Sequence, residues 1–277
     1  YSVVDIAGIN RISERILTNA AAAIAGMAQA YLNFQPSSQT KPLIGATMFG
    51  VTTPCVTEAR KTLEERGYEV LVFHATGTGG QSMEALVNGG FLAGVLDITT
   101  TELADELVGG VLSAGPHRLE AAGNHALPQV VSLGALDMVN FGPMESVPEK
   151  FKNRKLYKHN PTVTLMRTTP EECAELGRII ARKLNAARGP VALFIPLRGV
   201  SMIATEGAAF YDPAADKALI DNLKAELKPH IEVHELDMDI NDPHFAQMMA
   251  SRLDELVHAQ TSQAKHPQGT LPTGGGQ

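Results

Sequence analysis

Chemistry in this chain concentrates where apolar runs give way to Thr, Gly, His and Asp. Met48-Phe-Gly-Val-Thr-Thr-Pro-Cys-Val56 places Thr52 and Thr53 directly after one such run. Their hydroxyls suit a polar, anionic guest, although a well-capped helix accounts for them equally, with Thr53 as the cap and Pro54 in the first turn. Phe73-His-Ala-Thr-Gly-Thr-Gly-Gly-Gln81 follows a second run and precedes a helical segment. Gly77, Thr78, Gly79 and Gly80 would leave backbone N–H groups uncovered near the positive end of that helix, which is a way to hold a phosphate. The spacing is neither the dinucleotide fingerprint nor a P-loop. Leu96-Asp-Ile-Thr-Thr-Thr-Glu102 ends a third run. There Asp97 and Thr99 are placed to meet a sugar hydroxyl or, through water, Mg²⁺, while Thr99–Thr101 with Glu102 reads as a helix-capping arrangement.

Acid–base candidates are His74, His125 and Asp137. For His74 a satisfied structural histidine is an equal alternative. Arg118, Lys158 and His159 are sources of positive charge, and Arg198 with Ser201 stands where a phosphate or carboxylate would be clamped. Asp237, Asp239 and Asp242 lie close together, but Asp242 before Pro243, like Asp212 before Pro213, reads as a helix cap rather than a metal ligand. The chain shows no nucleophile elbow, H-E-x-x-H or C-x-x-C.

The elements that must carry these residues follow from periodicity. Strand-like runs at 43–49, 69–73, 94–98, 129–133, 191–195 and 231–236 alternate with helical segments at 54–66, 81–88, 100–107, 170–188, 213–227 and 243–257. That alternation predicts βαβ units, hence a Rossmann-like three-layer α/β/α domain with a mainly parallel sheet. Ligands of such sheets sit beyond the carboxyl ends of the strands. Residues 109–161 form a less regular insert. The Ala-rich segment Asn10–Tyr31 is apolar on most faces and predicts a helix that seeks burial. The expected organisation is a terminal helix of a preceding, absent lobe (1–33), a linker (34–42), the α/β domain (43–258) and a flexible tail (259–277).

Of 277 residues, 44% are hydrophobic and 19% charged, with a formal net charge of −7. That acidity, without a Lys/Arg block, disfavours nucleic acid. No apolar run reaches the roughly 20 residues of a membrane span. Cys55 and Cys173 stand in unrelated contexts, which fits a reducing, cytoplasmic setting.

Beyond these readings lies a resemblance. Tyr1-Ser-Val-Val-Asp-Ile-Ala-Gly-Ile-Asn-Arg11, the three junctions above and His159-Asn-Pro-Thr-Val-Thr-Leu-Met-Arg-Thr-Thr169 resemble a family of bacterial and fungal proteins similar to the N-terminal region of the plant tomato mosaic virus resistance protein. The resemblance covers roughly residues 1–258. It implies two Rossmann-like lobes, an ATP·Mg²⁺ site in the cleft between them and a homodimer. The missing N-terminal lobe would then supply the other wall of the cleft. Rival expectations are a hydrolase or lyase acting on a phosphorylated or carboxylated substrate, and a ligand sensor that closes on an effector.

Overall fold

A computed structural model describes residues 8–35 and 40–265. The chain divides into two units, Tyr1–Thr40 and Lys41–Gln277. Within the first, α1 spans Arg11–Asn33. It is started by a capping box: the Asn10 side chain accepts from the Ile12 and Ser13 amides, and the Asn10 amide donates to the Ser13 hydroxyl. Ile12, Leu17, Ile24, Met27, Tyr31 and Leu32 are all exposed on it.

The second unit is built on a six-stranded sheet. Its strands are β1 (Leu43–Met48), β2 (Glu69–His74), β3 (Gly94–Thr99), β4 (Gln129–Gly134), β8 (Val191–Pro196) and β9 (Glu232–Leu236), in the order β2-β1-β3-β4-β8-β9. Every pairing is parallel, as βαβ connectivity demands. Helices α2 (Thr53–Glu65) and α8 (Pro243–Lys265) cover one face. The other is covered by α3 (Thr78–Asn88), α4 (Glu102–Val108), the short α5 (Ala121–Asn124), α6 (Pro170–Asn185) and α7 (Pro213–Glu226). Because both faces are covered, successive side chains of one strand feed different cores. Ala192 and Phe194 join the α2/α8 side, whereas Leu193 and Ile195 join the α6/α7 side. This is why β8 reads as an unbroken apolar run rather than an alternating one.

Three elements depart from expectation. First, the insert and the residues just after it form a three-stranded antiparallel sheet, β5 (Met138–Phe141), β7 (Val163–Arg167) and β6 (Leu156–Asn160), in the order β5-β7-β6. Lys158, His159 and Asn160 in β6 masked it as a polar loop. Second, α3 begins at Thr78 rather than Gln81, so the Gly-Thr-Gly-Gly run is the first turn of a helix. Third, α8 continues to Lys265, so residues 259–265 of the expected tail are helical. Residues 1–7, 36–39 of the expected linker and 266–277 of the tail lie outside the described residues.

Candidate functional site

The strand order doubles back at β1. From there the chain goes to β2 on one side and then to β3 on the other, so the crossovers leave β1 and β3 towards opposite sides. At such a reversal the carboxyl ends of the strands diverge into a crevice. Thr52, Thr53, Thr99 and the β2–α3 turn converge there.

Much of this polar inventory is spent inside the protein. Thr47 donates to Asp97 Oδ1 at 2.7 Å, and its Oγ1 accepts from the Thr99 amide at 3.0 Å. The Thr52 and Thr99 hydroxyls bond each other at 2.7 Å. All four residues are buried, and together they fasten β1 to β3. Thr52, rather than Thr53, is the N-cap residue of α2. Thr53, half-buried, begins that helix.

Beside this knot lies a buried ion cluster around Arg118, whose side chain is 0% exposed. Its guanidinium grips Asp97 with two bonds, Nη1 to Oδ2 at 2.5 Å and Nη2 to Oδ1 at 2.6 Å. Nε donates to Glu102 Oε2 at 2.6 Å, and Nη1 reaches Glu84 Oε1 at 3.4 Å. Three carboxylates thus share one guanidinium. Burial pushes the Glu102 carboxyl up, against the pull of Arg118, yet both of its oxygens accept hydrogen bonds, as an ionised carboxylate does.

The remaining Glu102 oxygen decides how the glycine run is read. Oε1 accepts from the Gly77 amide at 2.8 Å and from the Gly80 amide at 3.0 Å. An internal carboxylate therefore occupies the start of α3 where the sequence reading placed a phosphate. The glycines fit that arrangement. Gly77 has φ +85°, and a Cβ on Gly80 would lie 2.2 Å from Glu102 Oε2. The expected capping role of Glu102 on its own helix is overturned: its side chain caps α3, and Thr101, which precedes α4, makes no side-chain capping bond. Glu84 repeats the device one helix further on, accepting from the Leu119 and Ala121 amides at 2.7 and 2.8 Å to start α5. At α2 the Cys55 amide donates to Asn241 Oδ1 at 3.3 Å.

What still faces outward at the reversal is Thr53, Thr78, Gly79 and His74. Among the described residues, the Thr78 and Gly79 amides have no hydrogen-bond acceptor. His159, on the β6–β7 hairpin, brings Nε2 to 4.0 Å from where a Gly50 Cβ would stand.

The other predicted residues are dispersed. Arg198 forms an exposed two-bond pair with Asp237. It follows β8, four strands from β2, which is roughly 19 Å at the usual strand spacing. His125 precedes β4 and Asp137 follows it, so a strand of about 20 Å separates them. His125 bonds Asn88 Oδ1 at the amino edge. Asp137 is fully buried, accepts from Ser201 at 2.8 Å, and is pushed by burial up to about 6. His74, His125 and Asp137 therefore do not meet. Asp212 and Asp242 do act as helix caps, accepting from the Ala214 and Ala215 amides and from the His244 amide. Sequence reasoning offered Arg118 to a ligand, and gave Glu84 no role. The clue was available in principle: three carboxylates on predicted apolar or helical segments need a cation.

Strand order and reversal point define a doubly wound α/β domain of the flavodoxin-like type. Comparison with known sequences then places it: the chain belongs to the uncharacterised protein family UPF0261. Residues 41–257 match the family's C-terminal domain and residues 1–33 its N-terminal domain. A UPF0261 protein of Clostridium tetani is 58% identical over 258 residues, covering 93% of this chain and 63% of the relative. The UPF0261 protein RA0729 of Rhizobium meliloti is 54% identical, covering 93% of this chain and 64% of its own length. The ToMV resistance protein Tm-1 of Solanum lycopersicum is 46% identical over 92% of this chain and 34% of itself. The chain thus spans under two thirds of the length of these relatives. Among solved structures, a pyrethroid hydrolase aligns over 83% of this chain and 99% of its own at 13% identity with a TM-score of 0.34, a likeness too loose to bear on function. No helix among the described residues is long and apolar enough to cross a membrane.

Proposed function

We propose that the carboxyl edge at the β1/β3 reversal is one wall of a nucleotide-binding cleft. The ligand that the family resemblance implies is ATP with Mg²⁺. The observation that carries this reading is the convergence there of the strand-order reversal with the outward-facing Thr53 and Thr78 and two open amides at the start of α3.

The buried cluster limits what this wall contributes. Glu84, Asp97 and Glu102 against Arg118 leave two formal negative charges beneath the β2–α3 turn. That field repels a bare phosphate and tolerates one whose charge a divalent cation offsets. Both Asp97 oxygens are already engaged, so Asp97 does not fit as a direct metal ligand. The metal would arrive with the nucleotide and neutralise its phosphates. Thr53 and Thr78 would supply hydroxyl contacts, and the opposite wall would come from a complete family N-terminal domain.

Calorimetric titration with ATP and MgCl₂ tests this, on the chain alone and on a form carrying a full family N-terminal domain ahead of it. Saturable binding by the longer form is expected, weakened at least tenfold by Thr78→Asp. Thr78 is exposed, and circular dichroism checks that the variant is folded. Absence of binding at millimolar ATP, or indifference to Thr78→Asp, refutes the proposal.

A further inference from the structure

The long connection from β8 to α7 builds a second cavity, two strands beyond β3 and apart from the β1/β3 reversal. Residues 197–212 carry no helix or strand, yet they are pinned at both ends. The Leu197 and Arg198 amides donate to the Leu236 and Met238 carbonyls, the Gly199 carbonyl accepts from the Ile240 amide, and Phe210 is fully buried. Between this loop, α7 and the exit of β9 lies a cavity of about 650 Å³, a size suited to a small organic molecule. It stands at the carboxyl ends of β8 and β9, the edge at which parallel sheets hold ligands.

Its charges do not balance. Arg198 is held by Asp237, Lys217 by Asp221 and Lys224 by Glu235. Asp216, which also lines the cavity, is the partner of the buried Arg167. These four pairs cancel however their exposed members rearrange. Glu206 and Asp239 are left over: both line the cavity, and among the described residues neither bonds a cation. Glu206 is exposed, and Asp239 gives one oxygen to the Asn241 amide at 2.8 Å. The acidic run that the sequence offers here is thus divided three ways. Asp237 is in an ion pair, Asp242 caps a helix, and Asp239 is a free carboxylate in a cavity.

The rest of the lining is of the opposite character. Leu197 and Tyr211 are 45% and 40% exposed, and with Ile220 they give the cavity an apolar side. Large apolar groups left open beside polar ones mark area for a ligand to cover. The face of a Tyr ring also attracts a cation. Among the described residues no three His, Cys, Asp or Glu side chains are grouped to hold a metal ion, so the charge calls for an organic cation.

We propose that this cavity binds a small organic ammonium ion, an amine with an apolar body. Glu206 and Asp239 meet the ammonium group, and Leu197, Tyr211 and Ile220 meet the body. Two uncancelled negative charges repel an anion, so this site is distinct from the nucleotide wall proposed above and does not rest on it.

Amide NMR spectra of the isotope-labelled chain test the site with three probes of similar shape: phenethylammonium, the neutral phenethyl alcohol and the anionic hydrocinnamate. The amine should shift the amides of residues 197–217 and 235–239 saturably at millimolar concentration. The alcohol should bind at least tenfold more weakly, and hydrocinnamate should leave these amides unmoved. Glu206→Gln and Asp239→Asn should each weaken amine binding at least threefold, and Tyr211→Ala should weaken amine and alcohol alike. No saturable shift with the amine overturns the proposal, as does equal affinity for the alcohol, or amine binding that Glu206→Gln leaves unchanged. Should Asp239→Asn fail to fold by circular dichroism, the probe series and Glu206→Gln decide.

Discussion

Replacing Arg118 by Met should be among the most damaging single changes in the α/β unit. Arg118 is the shared counter-ion of Asp97 and Glu102, whose side chains are 1% and 0% exposed, and it also reaches Glu84. Met keeps much of the stem's apolar bulk and deletes the charge, leaving buried carboxylates facing one another. Breaking a buried ion pair from one side costs about 3–5 kcal/mol. For a unit of this size that corresponds to a fall in Tm of roughly 6–20 °C. The cost should depend on pH in a defined direction. Glu102 is already raised by burial, against the pull of Arg118, and losing Arg118 raises it further. A carboxyl raised on folding contributes stability that is present below its unfolded value and lost as pH rises through the folded one. The deficit of the variant should therefore be larger at pH 8 than at pH 5. Urea denaturation at both pH values measures this, with an unchanged m-value certifying the same transition. Adding Glu102→Gln should recover part of the loss at pH 8, because it removes one of the stranded charges. A loss below about 1 kcal/mol, or one that grows as pH falls, would refute the view that this cluster is an ion-paired brace.

Other outcomes follow from the same packing. Gly80→Ala would set a methyl 2.2 Å from Glu102 Oε2 and 2.7 Å from Arg118 Nε, and should cost about 1–3 kcal/mol in urea denaturation, as overpacking does. Asp105 is pushed by burial up to about 7, despite bonds from the Asn140 side chain and amide. Its contribution to stability should be lost as pH rises from about 4 to about 7, and Asp105→Asn should flatten that part of the stability profile. Cys55 and Cys173 are buried and both thiols are raised by burial, Cys173 to about 11. Neither should react with a thiol reagent at pH 7.5 until urea unfolds the chain, when two thiols should appear. Arg198→Ala removes an exposed pair and should leave Tm unchanged within error, since such pairs contribute little.

Much of the architecture was legible because local rules operated without competition. Thr169 with Pro170 and Glu172 forms a full capping box at α6, and Asp212 with Pro213 starts α7, so these helix starts could be read directly. β8 announced itself as a short apolar run. β6 did not, because its charged side chains face solvent on an edge strand, and only its pairing with β7 makes it a strand. The start of α3 was misjudged for a related reason. Gly77-Thr-Gly-Gly is a poor helix former by propensity, and it is held helical by a carboxylate 22 to 25 residues further along the chain.

The sequence by itself determined the alternation of strands and helices, the parallel sheet that alternation requires, and the clustering of Thr and Gly at strand ends. It also carried the motifs that mark family membership. All of these are encoded in short windows of residue type and period. Tertiary structure alone decided what those strand ends are used for. Burial next to Arg118 turned Asp97 from a ligand candidate, and Glu102 from a cap of its own helix, into internal partners, and the 2-1-3 strand order chose where a crevice opens. It also placed His74, His125 and Asp137 at sites that never meet. A hydrogen bond or an ion pair depends on which groups come within about 3 Å, and no spacing along the chain sets that distance for residues brought together by packing.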